Sequence, residues 1–444
     1  MVDGMEEGDP ARAKRRRPMT ITSSHRIYAL AAVMFAALLT CPRMPGGVGA
    51  SAYLATLAIA GVAYLLAIRE FLSTPRFSHR VIVIGLALAA LWHLPFLLMP
   101  PGADDDVHRY VWDGRLQRLG YNPYVVVPND PAFSALHTDE TRNLNNPEVV
   151  SPYPAGAQLF FRAVTAIHES VFAFKVAFVA CELAIVPLLV AELRRVGLGE
   201  HWVLAYAWNP LLVTCVTYSG HIDILGVLLL LASVATLERR WRTLAAITFG
   251  LAVAVKFLPI VLAPLYWRRV RVRDGLLALL IVGLLYVPFL RDGSVPRGSI
   301  GVFVERFRFN DPAFAEIERI VRPQVVAGLA VVAGLVTAAV LRRRQDGYSP
   351  QAFAWPMAAS LLCAPVVYPW YLLWLLPFMR SVSTVPLVIW TISILPTFYV
   401  WHLRTLGRQW VVPGWIMLLE YGSVAAAAAI LEFRRLKRST SAAA

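Results

Sequence analysis

The chain has 444 residues, 58% of them hydrophobic and only 16% charged, with a formal net charge of +14 and a mean hydropathy of +0.58. A soluble domain of this size does not carry so few charges, so the expected fold class is an all-α polytopic membrane protein. The basic residues sit in short clusters between apolar runs, as in cytoplasmic loops beside anionic lipid. No basic helix, zinc finger or RNA-binding signature accompanies them, which argues against a nucleic-acid partner.

Residues 1–26 read as a basic cytoplasmic tail. They lead into "RIYALAAVMFAALLTC", an uncleaved first span at 27–42, because Thr40 spoils the lipoprotein-like box and no A-x-A cleavage site follows. A crossing helix needs about 20 apolar residues. Further candidates lie at 51–68, 81–99, 171–192, 202–218, 222–237, 274–290, 324–341, 352–367, 369–379, 384–401 and 413–432. This gives about twelve spans, several shortened by proline. Cys41, Cys181, Cys215 and Cys363 all fall in or beside apolar segments without metal-ligand spacing, and read as small buried hydrophobes.

The basic clusters Arg12 to Arg17, Arg69 to Arg80, "ELRRVG", "ERRWR", "WRRVRVR", "LRRRQ" and "FRRLKR" should all face the cytoplasm, with both termini. One segment resists. "TLAAITFGLAVAVKFLPIVLAPLYW" (243–267) is long enough to cross once, yet is basic at both ends. The parity is restored if it enters and returns on the same side, bent near Lys256–Pro259, as a broken re-entrant helix pair. The exterior then receives two large loops, 100–170 and 291–322, and short turns near 219–221, 368–369 and 402–412. The expected organisation is a hairpin at 27–75, a catalytic transmembrane body at 76–438 and a disordered tail at 439–444.

The first loop opens with "PPGADDDVHRYVWDGRLQRLGYNPY". The acidic run occupies an N-cap position, which predicts a helix over about 104–119. At 100° per residue, Asp106, Arg109, Asp113 and Gln117 share one face, which reads as lining a site, with Asp113 as a candidate substrate contact. One aspartate is explained by capping and the helix dipole. Three in a row repel one another, which points to a base, a bound divalent cation or a donor-rich substrate.

An exterior carboxylate can deprotonate a hydroxyl nucleophile, and a phosphate leaving group needs only cationic stabilisation. Arg109 and Arg115 in the first loop and Arg291, Arg306 and Arg308 in the second are candidates for the latter. So is Lys256, since an intramembrane lysine is costly; snorkelling or a structural carbonyl is its plain alternative. "YSGHIDILG" places His221 and Asp223 at an exterior turn, as substrate contacts or as a solvated pair. Tyr153 in "SPYP" and Tyr368, Trp370 and Tyr371 in "YPWYLLW" offer aromatic faces to a sugar, or belong to an interfacial belt.

Taken together, "DDVHRYVWDGRLQRLGYNPY", "SPYPAGAQLFFR", "SGHID", "KFLP" and "YPWYLLWLLP" resemble the GT-C superfamily of polyprenyl-phosphate-sugar-dependent glycosyltransferases, in particular its bacterial mannosyltransferase-like members. The chain is also similar to the glycosylphosphatidylinositol mannosyltransferase I family, whose loop carries a D-x-D ahead of S-P-Y. The resemblance implies a base in the first loop, laid on Asp105 or Asp106. Asp106 is preferred because "DVHRY" matches the commoner register, and Asp104 falls outside the pair. One departure is the position of the loop, which follows the third span rather than the first and makes 1–75 an added hairpin.

The resulting expectation is an inverting glycosyltransferase of the inner membrane. It would move a sugar, mannose by resemblance, from a polyprenyl-phosphate carrier to a lipid or glycan acceptor hydroxyl outside the cytoplasm. No ATP or nucleotide-sugar site is visible, and a divalent cation is left open because related enzymes differ. The competing readings are a transporter or flippase of lipid-linked sugars and a non-catalytic assembly subunit. The concentration of polar residues in one asymmetric loop favours an enzyme over a repeat-built transporter.

Overall fold

The computed structural model describes residues 21–40, 49–102, 106–142, 144–290, 296–344, 349 and 351–443. Two helices, α1 (Ile21–Leu39) and α2 (Gly49–Ser73), form an N-terminal hairpin, and α3 (His79–Leu98) follows. The first large loop holds α4 (Asp106–Arg118) and α5 (Ala155–Ile167). Then come α6 (Val171–Arg195), α7 (Trp202–Ala207), a π-helix (Leu212–Tyr218), α8 (Asp223–Glu238), α9 (Arg242–Val255), α10 (Ala263–Tyr266) and α11 (Val272–Leu285). The second loop carries α12 (Ile300–Arg306) and α13 (Pro312–Glu318). The chain ends in α14 (Pro323–Arg344), α15 (Gln351–Leu362), α16 (Val385–Ser393), α17 (Tyr399–Thr405) and α18 (Gly414–Ala443). Among the described residues the only β-type pairing is a bridge between Phe309 and Val366, so the all-α expectation holds.

Local chemistry sets the boundaries. Ser170 caps α6 by accepting from the Ala173 amide, and Arg194 and Arg195 sit in its last turn, where the helix dipole favours cations. Lys175 Nζ donates to the carbonyls of Phe96 and Met99 at 2.6 and 2.7 Å, satisfying acceptors that α3 leaves open at its end. Among the described residues seven helices are long and apolar enough to cross a membrane, and the π-helix with α8 forms a bent pair that turns through 116°. The other expected spans are shorter or interrupted, such as the 3₁₀ stretch Pro369–Phe378, which contains a second proline, Pro377. Proline removes the amide that a continuous helix would need.

The segment that broke the charge parity does double back. α9 ends at Lys256, whose backbone is extended (φ −156°, ψ 141°) just before Pro259. The chain then returns beside its own start. Ser233 Oγ donates to the Ala245 carbonyl and lies 2.8 Å from the Tyr266 hydroxyl, while Thr243 donates to Asp274 at 2.8 Å. Residues 351–379 repeat the manoeuvre: α15 rises to the cavity described below, and the 3₁₀ stretch descends against it.

The bundle therefore has two distinct ends. One carries the arginine clusters and the Glu192, Glu238 and Asp274 carboxylates. The other is closed by the two large loops and by the tips of both doubled-back segments. The N-terminal hairpin packs into the body: the Tyr64 hydroxyl donates to the Ala205 carbonyl at 2.7 Å, and the Tyr53 ring meets Tyr218 and Phe398.

Candidate active site

The two loops and the two doubled-back tips enclose a cavity of about 760 Å³. Asp106, Asp223, Lys256 and Tyr371 form its polar floor, and Tyr368, Trp370, Trp401 and Trp410 its aromatic wall. Opposite lies an apolar wall of Phe303, Phe307, Ala327, Ala330 and Val331, from α12 and α14. Arg306, Arg308 and Arg404 stand at the rim. A second space of about 460 Å³ shares Tyr153, Phe257 and Ile300 with the first and ends against Tyr286 and Leu290. It lies at the end of α11, a helix whose Leu276, Leu279, Leu280 and Leu284 are exposed.

Asp106 opens α4, and Asn145 from the same loop donates to its Oδ1 at 2.7 Å. Its Oδ2 lies 3.6 Å from His221 Nδ1. Burial, and after it the nearby Asp106 carboxylate, push the hydroxyls of Tyr110 and Tyr153 well above the ordinary tyrosine range. Neither tyrosine is then a base near neutral pH, which leaves the carboxylate for that task.

Lys256, at the tip of the first doubled-back segment, donates to Asp223 Oδ1 at 2.6 Å and sits 3.8 Å from the Tyr371 ring centre. Trp374 Nε1 donates to the same carboxylate oxygen at 2.7 Å. That approach needs Gly226, because a Cβ there would stand 2.1 Å from the Trp374 ring. Asp223 is 1% exposed as a side chain and Lys256 is 23% exposed. The carboxylate is thus the buried anchor, and the ammonium is the group presented to the cavity.

The remaining expected residues divide. Arg109 and Tyr153 line the cavity. Asp113 does not: it is sealed beneath α4, accepting from Arg109 Nε at 3.0 Å, from Gln158 at 2.8 Å and from Ser151. Arg115 points away, pairing with Glu169 and donating to the Leu136 carbonyl at 2.7 Å. His221 is fully buried behind Asp106, stacked on Trp370 with ring centres 3.7 Å apart. Asp105, its neighbour Asp104 and Arg291 lie outside the described residues.

The motif residues also have structural work. Gly114 of "WDGR" lets α4 press on α5, where a Cβ would fall 2.5 Å from the Phe161 carbonyl. Asn122 of "NPY" donates to the Phe289 carbonyl at 3.0 Å and so ties the first loop to the end of α11. Asn145, Arg404, Trp401 and Trp410 were not anticipated. Trp401 in α17 and Trp410 in the turn after it were a usable signal, whereas Asn145 in "NLNNP" offered none. Among the described residues no group of three or more His, Cys, Asp or Glu side chains is close enough to hold a metal ion.

The structure is thus a helical bundle of membrane-crossing type with a carboxylate, a buried-anchored lysine and an aromatic wall around one cavity. Comparison with known proteins narrows this. The chain belongs to the alpha-(1->6)-mannopyranosyltransferase family, whose N-terminal-domain model matches residues 18–270. It is 27% identical over 335 residues to alpha-(1->6)-mannopyranosyltransferase A of Mycobacterium tuberculosis, covering 65% of this chain and 63% of that protein. The chain therefore spans less than two thirds of that relative's length. No solved structure matches. The family match contains Asp106, His221, Asp223 and Lys256, while the aromatic wall lies beyond it.

Proposed function

We propose that the chain is an inverting mannosyltransferase of the plasma membrane, with both termini cytoplasmic and the cavity facing outward. Its donor is a polyprenyl-phosphate mannose and its acceptor a hydroxyl on a glycan or glycolipid. The observation that carries this reading is the meeting of Asp106 and Lys256 over one cavity that has an aromatic wall and an apolar one. Orientation rests on the described arginine clusters at the ends of α6, α8, α10 and α14, at the opposite end of the bundle from the cavity.

In this reading the acceptor O–H gives its proton to Asp106 as its oxygen attacks the anomeric carbon. The bond from that carbon to the phosphate oxygen breaks, and the electron pair leaves with the polyprenyl phosphate. Lys256, with Arg306 and Arg404 at the rim, meets the charge that grows on the leaving phosphate. Asp223 fixes the lysine and need not touch substrate. The smaller space running toward α11, and the apolar faces of α12 and α14, suit the isoprenoid chain, since α14 exposes Val325, Leu329, Val332 and Val336 on its other side. Tyr368 and Trp370 offer flat faces to pyranose rings.

The test is transfer by purified protein from a polyprenyl-phosphate mannose to an alkyl mannoside. Asp106→Asn is expected to keep its fold and lose at least about 10²-fold in kcat. Normal turnover by this variant removes the proposed base. Donor-dependent transport of the lipid-linked sugar without transfer would favour the flippase reading instead.

A further inference from the structure

The corner behind Asp106 is built more carefully than a lone base requires. The chain leaves the π-helix, turns through Gly220 at φ +80° and starts α8 at Asp223. Gly220 is needed both for that φ and for closeness, since its Cβ would lie 3.3 Å from Val107 of α4. The turn is pinned by the His221 amide, which donates to the Cys215 carbonyl at 2.9 Å. A π-helix ending in a tight turn is a costly way to place one side chain, and such breaks cluster at functional positions.

The side chain so placed is His221, which is 0% exposed and absent from the cavity lining. Its Nδ1 faces Asp106 Oδ2 at 3.6 Å, while Asn145 occupies Asp106 Oδ1 at 2.7 Å. Its ring lies flat on Trp370, at 14° between planes, and Trp370 lies flat on Tyr368 with ring centres 4.4 Å apart. Trp370 and Tyr368 belong to the cavity wall. A continuous stack thus runs from the sugar-facing aromatic wall to the carboxylate.

We propose that His221 is a positioning residue for Asp106. Its imidazole sets the carboxylate's rotation, and its stack on Trp370 ties that setting to occupancy of the aromatic wall. This rests on the reading of Asp106 as the base. Asn145 and His221 hold the carboxylate from two sides, so the proton-accepting lone pair is aimed before the acceptor arrives. Proton bookkeeping is simple: the acceptor proton resides on Asp106 and leaves to water with product. The other charged or titratable groups around this corner are Lys175 from α6, Asp223 from α8, Lys256 from the doubled-back tip, and Tyr110, Tyr153, Tyr368 and Tyr371. Lys175 is held by the α3 carbonyls and Lys256 by Asp223, so neither duplicates the imidazole at Asp106.

Three variants test it in the transfer assay with polyprenyl-phosphate mannose and an alkyl mannoside. His221→Phe keeps the stack and removes Nδ1; kcat should fall about 10²-fold with KM for both substrates within about threefold. His221→Asn restores a polar group near Nδ1 and should recover most of kcat. In an Asp106→Asn background His221→Phe should cost nothing further.

The inference is overturned by wild-type kcat in His221→Phe. A raised KM at unchanged kcat overturns it too, and makes His221 a substrate contact. So does a His221→Asn variant that melts like wild type yet is no better than His221→Phe. Full activity of Asp106→Asn alone instead sinks the base, and with it the reading on which this inference stands.

Discussion

Both ends of the bundle bury charge, and they treat it differently. At the arginine-rich end, Glu192 is 2% exposed as a side chain and takes Arg195 Nε at 3.0 Å on one oxygen and Arg239 on the other. Arg195 also reaches Glu238, which is 4% exposed. The chain closes this network on itself, and neither of the two cavities at the loop end is lined by it. At the loop end, Asp106 and Lys256 also have protein partners, but both line about 760 Å³ of space. Burial alone therefore does not mark function here. The mark is a charge that lines a cavity as well as pairing with protein.

Lys256→Met tests that comparison most severely. It removes the ammonium at the cavity floor and leaves Asp223 buried with only Trp374 as donor. Loss of a group that meets leaving-phosphate charge should lower kcat by about 10³-fold. A buried carboxylate stripped of its cation should also destabilise the fold by about 3 kcal/mol. Lys256→Arg should retain more stability than activity, since a planar fork does not replace a compact ammonium at one site. Near-normal kcat in Lys256→Met would make this pair as structural as its counterpart at the other end.

Glu192→Gln gives the converse and a smaller effect. The two arginines lose a shared carboxylate, and each is about one third exposed, so solvent recovers part of the cost. Unfolding in detergent should show a loss of about 2 kcal/mol, with kcat per folded molecule unchanged. A specific loss of kcat would mean that the closed network communicates with the site.

The architecture was legible in the sequence because a bilayer imposes coarse and redundant patterns: apolar runs, basic clusters and their parity. The parity argument alone located the break at Lys256. The helix types were not legible. The π-turn before His221 and the 3₁₀ stretch after Pro369 depend on prolines and neighbours whose registers appear only in three dimensions. The α4 face shows the same limit at the site. Asp106 and Asp113 share a stripe and a residue type, yet Asp113 is sealed by Ser151 and Gln158, which lie 38 and 45 residues away. Asn145 reaches Asp106 from 39 residues away, inside a loop without periodicity. Expecting both aspartates to meet substrate followed from treating a shared helix face as a shared environment.

The mildest test lies in the second loop, between the two extremes. Asp311 precedes Pro312 at the start of α13, and its Oδ2 is buried without a hydrogen-bond partner. Burial raises its carboxyl from the usual range to about 6, an effect that Arg308 partly offsets and Glu318 adds to. A carboxyl that holds its proton more tightly in the folded state costs stability once it ionises. Stability should therefore fall as pH rises from about 4, the unfolded value, through about 6. Asp311→Asn removes the titration. Discounted for partial exposure, it should be more stable than the wild type by about 1 kcal/mol near pH 8, with no advantage near pH 4. Arg308 is held by Glu318 at 2.9 Å and so stays in place when Asp311 is neutral. A gap in melting temperature that is flat across this range would show that Asp311 carries its charge at no cost. It would then belong with the open charges at the cavity rather than with the sealed ones.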